Sequence, residues 1–265
     1  FIKNINIAKK YIKNGDIFQF VPSQRFETKY TGSVLKLYQA LRKTNPSPFM
    51  YYFNFPRFKI VGSSPEILVR LRNKKITIRP IAGTRPRGKT KKLDNKYAED
   101  LLKDKKEIAE HLMLLDLGRN DIGRVANKSS VKVTSEFEIE RYSHVMHIVS
   151  NVEGKVSSDK TAFEALMAGF PAGTVSGAPK IRAMQIIDEL ENTKRGIYAG
   201  GIGYITSDGE MDTCIALRTG IISNNRLFVQ AGGGVVYDSD PNKEYEETVN
   251  KAKALFNAAE IAIAN

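Results

Sequence analysis

The sequence predicts an α+β fold, on three observations. Segments that read as strands come in consecutive runs, from Phe49 to Ile81 and from Gly200 to Gly232, instead of alternating one for one with helices. Helical patterns stand at both ends and between those runs. No Pro-, Gly- or Ser-rich linker and no internal repeat divides the chain, so its 265 residues read as a single domain, 1–265. A chain of that length can bury roughly three quarters of its unfolded surface, enough for an enzyme core.

Taken in order, Ile5 to Ile12 carries an amphipathic helical pattern stopped by Gly15. Asp16 to Phe26 alternates partially, as a strand, and Ser33 to Arg42 reads as a helix closed by the turn-rich Asn45-Pro46-Ser47-Pro48. Strands follow at Phe49 to Phe55, Phe58 to Val61 and Ile67 to Leu71, and Asn73-Lys74-Lys75 turns the chain into a strand from Ile76 to Ile81. Tyr97 to Leu117 has the spacing of one long helix, and Val131 to Ile139 and His144 to Val152 alternate as strands. Thr161 to Ala168 and Ala178 to Leu190 are helical, the second with Pro179 in its first turn. Gly200 to Thr206, Thr213 to Ile222 and Arg226 to Gly232 read as strands. A helix from Pro241, capped by Asp240 or Ser239, runs to about Ala262.

Composition excludes several classes. Hydrophobic residues at 42% and charged residues at 26% are globular values, unlike those of disordered or fibrous chains. No apolar run approaches the roughly 20 residues that span a bilayer, and Phe1 to Asn6 is no signal peptide. A lone cysteine, Cys214, supports neither a disulfide framework nor a thiolate cluster, which fits a cytoplasmic setting. Phe1 in place of an initiator Met suggests an excised piece. The net charge of +12 raises the reading of a basic, non-catalytic nucleic-acid-binding module. Basic and acidic residues are mixed, however, and no aromatic side chains interleave with the densest basic run, Arg85 to Lys92, as base stacking requires. A solvated lysine-rich surface is the plainer reading, and it would help draw in an anionic substrate.

Two acidic helical segments carry the first chemical signal. Glu107 and Glu110 interrupt an apolar pattern, and Glu244 and Glu247 repeat the same i, i+3 spacing, which sets each pair on one helix face. Four carboxylates brought together would need a cation, and hard oxygen donors suit Mg²⁺. By spacing alone, solvated surface charge explains both pairs better.

Gly83 to Thr90 matches the phosphate-binding pattern GxxxxGKT, and Leu112 to Asp116 mimics the acidic strand that accompanies it. Pro86 removes an N–H from a loop that works by presenting N–H groups, Lys91 to Asn95 is a poor helix start, and Asp116 falls within a helical pattern. Asp238 to Asn242 opens like a calcium loop but has Lys243 where Gly is needed and Val249 where Glu is needed.

Larger blocks carry a resemblance. Pro80-Ile81-Ala82-Gly83-Thr84-Arg85-Pro86-Arg87-Gly88, Glu110 to Asp121, Tyr142 to His147, Phe170 to Lys180 and Gln230-Ala231-Gly232-Gly233-Gly234, in this order, closely resemble the chorismate-utilising domain of the anthranilate synthase component I family. The resemblance implies two large antiparallel sheets packed together with peripheral helices, and chorismate held through Mg²⁺. It implies Glu110 and Glu247 as metal ligands, with Glu107 and Glu244 holding metal-bound waters. Substrate contacts are implied at Gly83, Thr84, Tyr198, Arg218, Gly232, Gly233, Gly234 and Lys251. Their chemistry suits this: Arg218 offers a planar fork to a carboxylate, Lys251 a point charge, and the glycines close backbone approach. By residue type alone, Arg218 would be a paired surface residue of a strand.

The reaction implied adds ammonia at C2 of chorismate with loss of the 4-hydroxyl, then eliminates pyruvate to leave anthranilate. By family position the catalytic candidates are Glu66, as the acid for the hydroxyl, Thr84, and His147, which handles a proton near the ring; each histidine also has a plain reading as a core residue. His144 is its neighbour, three residues away and expected to face the opposite side of the strand. Relatives that make aminodeoxychorismate commonly carry a lysine nucleophile where Ala82 stands, and isochorismate or salicylate synthases a lysine base where Gln19 stands. Those activities remain the same-family alternatives. Ammonia would come from a partner glutamine amidotransferase, since Cys214 lies in an apolar strand. The family's preceding regulatory domain is not in this sequence. Its tryptophan effector segment, Pro48, Phe49 and Met50, is, so loss of tryptophan inhibition is expected.

Overall fold

The structure is a computed structural model, and it describes residues 1–142 and 145–264. The chain opens with α1 (Ile2–Lys13), β1 (Gln19–Phe20), β2 (Ser23–Lys29) and α2 (Val34–Thr44). Five strands follow: β3 (Phe49–Asn54), β4 (Lys59–Ser64), β5 (Ile67–Arg72), β6 (Lys75–Ile78) and β7 (Ile81–Pro86). Helices α3 (Lys91–Lys103) and α4 (Lys105–Gly123) precede β8 (Lys132–Arg141) and β9 (Val145–Lys155). Next come α5 (Ala162–Gly169), the single turn α6 (Gly173–Ser176), β10 (Gly177–Ala178) and α7 (Lys180–Leu190). The chain closes with β11 (Gly201–Ile205), β12 (Met211–Ile215), β13 (Thr219–Ser223), β14 (Arg226–Gly232) and α8 (Pro241–Ala264). This is an α+β architecture of antiparallel sheets with peripheral helices, as the strand runs predict.

Two compact units make up the chain. The first comprises residues 1–66, 175–202 and 214–265, the second residues 67–174 and 203–213. Unit 1 is built on a five-stranded antiparallel sheet in the order β2-β14-β13-β4-β3. Helices α2 and α8 cover it through Leu37, Leu41, Leu255 and Ala258, all fully buried, which close on Val61, Leu227 and Val229. A smaller core joins Ile17 and Phe20 to Ile186 of α7 around the two-stranded β1-β10 pair. Unit 2 is built on the seven-stranded sheet β11-β12-β5-β6-β9-β7, with β8 also on β9. Eleven-residue β9 pairs antiparallel with β8, β6 and β7, which places its side chains among three neighbours. Leu101 of α3 packs on Met146 and Ile148 of β9.

Four departures from the sequence reading have local causes. The single helix expected over Tyr97 to Leu117 is two, because Asp104 is extended (φ −73°, ψ 105°) and its carboxylate accepts the N–H groups of Lys106 and Glu107, capping α4. The strand expected over Thr213 to Ile222 breaks at Arg218, whose φ is +47°. The strand expected through Ile81 stops at Ile78, and a strand the reading missed, β7, runs from Ile81 to Pro86. As an edge strand it tolerates Pro86, which has no N–H for a further neighbour. A helix does begin at Lys91, capped by Thr90 Oγ1. It receives no phosphate cradle: Gly83 to Pro86 lie in the sheet, and the Gly88 N–H donates to Asp94 Oδ1 at 2.9 Å. Asp116 lies inside α4, so the acidic strand of that motif does not exist.

Candidate active site

In unit 2, α4 presents Glu107 and Glu110 as half-buried carboxylates on one face. Burial raises the Glu107 carboxyl above the usual range, while the neighbouring Arg85 guanidinium, 3.4 Å from Glu107 Oε1, works against the rise. Arg85 also binds Asp100 and Asp104 at 2.8 Å each, tying the start of α4 to β7. Opposite this face is Gly83, with φ +79° at a bulge where β7 shifts register against β9. A Cβ there would sit 3.2 Å from Glu107 Oε2 and 3.1 Å from Ile148, so the backbone turn that brings the carboxylate close requires glycine.

The same bulge orients His147 of β9. Its Nδ1 lies 3.1 Å from the Gly83 carbonyl oxygen and 3.0 Å from Thr84 Oγ1, its cross-strand partner. A carbonyl can only accept, so Nδ1 carries the proton in the neutral ring and Nε2 holds the lone pair. Tyr142 meets the ring edge-on, with centroids 5.5 Å apart. His144, the neighbour considered for the same chemistry, lies outside the described residues.

In unit 1, α8 carries Glu244, Glu247 and Lys251. Asp240 caps this helix, accepting the N–H groups of Asn242 and Lys243. Lys251 Nζ donates to Glu247 Oε1 at 2.6 Å and to the Gly232 carbonyl at 2.8 Å. Both glutamates face Gly233, where a Cβ would lie 3.3 Å from Glu244 Oε2 and 3.6 Å from Glu247 Oε1. The Gly232-Gly233-Gly234 turn therefore leaves room beside hard oxygen donors, chemistry that fits a hard dication such as Mg²⁺. Among the described residues no group of three or more His, Cys, Asp or Glu side chains gathers as a complete metal site. The Gly233 N–H donates to the Pro22 carbonyl at 3.3 Å.

Tyr198 is buried with its hydroxyl close to Gly232, where a Cβ would lie 2.7 Å from it. Burial pushes its pKa up to about 12, which keeps it a neutral donor. Arg218 and Ala199 both hold positive φ, +47° and +65°, in neighbouring segments joined by the Ala199 N–H to Ala216 carbonyl bond of 3.2 Å. Left-handed backbone at two non-glycine residues is the kind of local strain that collects at binding sites. Glu66, 8% exposed, follows the β4 strand, and its carbonyl accepts the Ile215 N–H at 3.0 Å. Of the effector candidates, Pro48 precedes β3, and Phe49 and Met50 open it, paired with Ser64 and Ser63.

Two residues escaped the sequence reading. Arg195 binds Glu191 Oε1 at 2.6 Å and the carbonyls of Val21 and Val175, and lies 5.4 Å over the Tyr198 ring. The i, i+4 spacing of Glu191 and Arg195 was its only signal. His111, fully buried in α4, gave none beyond being a histidine on an apolar face.

Unit 2 thus presents Gly83 of a bulged edge strand to a helical carboxylate, and unit 1 sets a glycine turn against the acidic face of α8. The chain belongs to the chorismate binding enzyme family, which it matches over residues 1–257. It is 64% identical over 255 residues to anthranilate synthase component 1 of Cereibacter sphaeroides, covering 96% of this chain and 51% of that protein. The crystal structure of anthranilate synthase component I from Streptococcus pneumoniae superposes with a TM-score of 0.91 at 50% identity, covering 96% of this chain and 57% of that one. The menaquinone-specific isochorismate synthase of Escherichia coli gives 0.89 at 26% identity, covering 97% and 60%. The chain spans about half the length of the curated relatives it matches.

Proposed function

We propose that the chain carries the catalytic domain of an anthranilate synthase, one functional domain that converts chorismate and ammonia to anthranilate and pyruvate, the entry step of tryptophan biosynthesis. What carries this choice over the same-family alternatives is a pair of neutral side chains. Ala82, beside the Gly83 bulge, offers no nucleophile to the ring, and Gln19, 2% exposed on β1, is no base for activating water. Ammonia then attacks as such, supplied by a glutamine amidotransferase in a cytoplasmic pathway.

Glu110 and Glu247 are the proposed Mg²⁺ ligands, with Glu107 and Glu244 holding its waters. The bound ion supplies charge neutralisation at the ring carboxylate. Arg218 and Lys251 hold carboxylates, and Gly83, Thr84, Tyr198 and the Gly232-Gly233-Gly234 turn bound the substrate. Glu66, a buried carboxyl, donates a proton to the departing hydroxyl, since hydroxide is a poor leaving group. His147, with its proton on Nδ1, accepts a proton at Nε2. Pro48, Phe49 and Met50 are the proposed effector segment; Phe49 and Met50 of β3 pair with Ser64 and Ser63 of β4.

The deciding experiment incubates the chain with chorismate and ammonium, with and without Mg²⁺, and identifies products by mass spectrometry. Anthranilate formed only with Mg²⁺ is expected; aminodeoxychorismate or isochorismate as the product would overturn the reading. Glu110→Gln and Glu247→Gln should each abolish turnover with an unchanged circular dichroism spectrum, and near-normal rates in both would remove the metal assignment.

A further inference from the structure

One buried ion pair of unit 1 reaches both sides of the contact between Tyr198 and Gly232. Glu191 ends α7 in extended backbone, and Arg195 follows it at i, i+4 spacing. Arg195 Nε donates to Glu191 Oε2 at 2.9 Å and Nη2 to Oε1 at 2.6 Å, a planar fork on a carboxylate that is only 6% exposed. Nη2 also donates to the Val21 carbonyl at 2.7 Å, and Nη1 to the Val175 carbonyl at 2.6 Å. With four of its five N–H groups taken in this way, the guanidinium plane is fixed. Its carbon stands 5.4 Å over the Tyr198 ring, and the Arg195 carbonyl accepts the Tyr198 N–H at 3.2 Å.

The same carboxylate holds the other side. Glu191 Oε1 accepts the Ser23 N–H at 2.7 Å and the Ser23 hydroxyl at 2.9 Å, and that hydroxyl oxygen accepts from Gln230 Nε2 at 2.7 Å. A carboxylate only accepts, so the serine proton goes to Glu191 and the amide must be the donor to the serine. Ser23 is the partner of Gly232 in the β2–β14 ladder, and the Pro22 carbonyl before it takes the Gly233 N–H at 3.3 Å. Gly232 has no room for a side chain: a Cβ would lie 2.5 Å from the Pro22 oxygen and 2.7 Å from the Tyr198 hydroxyl. We infer that Glu191 and Arg195 form a positioning pair: Arg195 holds the Tyr198 ring, Glu191 holds Ser23 opposite Gly232, and together they fix the tyrosine hydroxyl against the glycine turn where substrate binds. The substrate part of this rests on the anthranilate synthase reading; the network does not.

A double-variant cycle in steady-state kinetics tests this, together with tyrosine ¹³Cζ spectra of the same proteins. Arg195→Lys keeps the charge and loses the fork; it should raise the chorismate KM about tenfold, the worth of one neutral hydrogen bond, with kcat nearly unchanged. Tyr198→Phe, which deletes the hydroxyl, should do the same. Because both changes act through that hydroxyl, the double variant should lie within about twofold of Tyr198→Phe alone, whereas independent effects would multiply to about 10²-fold. Glu191→Gln leaves the arginine in place and weakens its fork. Among the signals of the 11 tyrosines, the one absent from Tyr198→Phe should move most in Glu191→Gln. A Tyr198 signal unmoved in that variant, or KM losses that multiply in the double variant, overturns the inference. Disturbing a buried ion pair can cost the fold itself. Should Arg195→Lys fail to fold, Glu191→Gln, which keeps the shape of the pair, takes its place in the cycle with the same expected KM values. If the unaltered protein makes no anthranilate, the functional reading fails while the spectra still decide this one.

Discussion

Glu247 and Lys251 form an ion pair 2.6 Å long, one turn apart on α8, and the lysine's remaining reach is taken by the Gly232 carbonyl. Both side chains are more than two fifths exposed, so the pair itself contributes little to stability. Its use is poise: a cation able to transfer from a glutamate to an incoming carboxylate. Lys251→Met should leave the melting temperature nearly unchanged and raise the KM for chorismate about 10- to 100-fold, the worth of one charged hydrogen bond. In the absence of chorismate it should also tighten Mg²⁺ binding, because Glu247 loses its competitor. Calorimetric Mg²⁺ titration beside steady-state kinetics measures both, and an unchanged KM would remove Lys251 from the substrate site.

Thr84 and His147 allow a separate division of labour. The Gly83 carbonyl alone can hold His147 in its tautomer, so Thr84→Val, which keeps the bulk and deletes the hydroxyl, should cost kcat only about tenfold. His147→Asn removes the proton acceptor and should cost about 10²- to 10⁴-fold, the usual range for a general acid or base. Equal losses in the two variants would mean that the hydroxyl acts directly on the ring.

Patterns governed by side-chain burial were legible in the sequence, and patterns governed by backbone conformation were not. The apolar spacing of Val34 to Leu41 and the run Ile67 to Leu71 located α2 and β5 because their buried faces dictate period. Asp104 looked like one more polar residue in a helix, although its cap splits α3 from α4. Arg218 looked like a strand residue because nothing about arginine announces a positive φ. Among the site residues, the i, i+3 glutamate pairs were visible as pairs, whereas the glycines that face them, Gly83 and Gly233, could be found only through the resemblance and then through contact. His111 stayed hidden because its partner, Ser150, comes from a distant strand.

The α3–α4 break gives a stability prediction. Asp104→Ala removes the cap of α4 and one of the three carboxylates on Arg85, and should destabilise the fold by about 1–2 kcal/mol. Asp100→Ala removes only the more exposed carboxylate and should stay within about 0.5 kcal/mol. Urea denaturation of the two variants provides the comparison; equal effects would mean that Arg85 uses its partners interchangeably and that the cap carries no weight.

Asp94 supplies the pH dependence. Its carboxylate accepts from Arg87 at 2.7 Å, from the Gly88 N–H at 2.9 Å and from Arg141 at 3.0 Å, fixing the segment between β7 and α3. Foremost the Arg87 bond, then the Gly88 N–H, hold its pKa at about 2, below the ordinary 3.8. A carboxylate favoured in the folded state stabilises fully above the unfolded pKa, and that contribution fades as pH falls toward the folded one. Asp94→Asn should therefore melt well below the unaltered protein at pH 7. The gap should hold down to about pH 4, narrow between 4 and 2, and nearly close at the lower limit, where both proteins carry a neutral side chain at this position. Thermal melts across that range decide it: a gap that persisted undiminished to pH 2 would show that packing, and not the charge on Asp94, holds the segment.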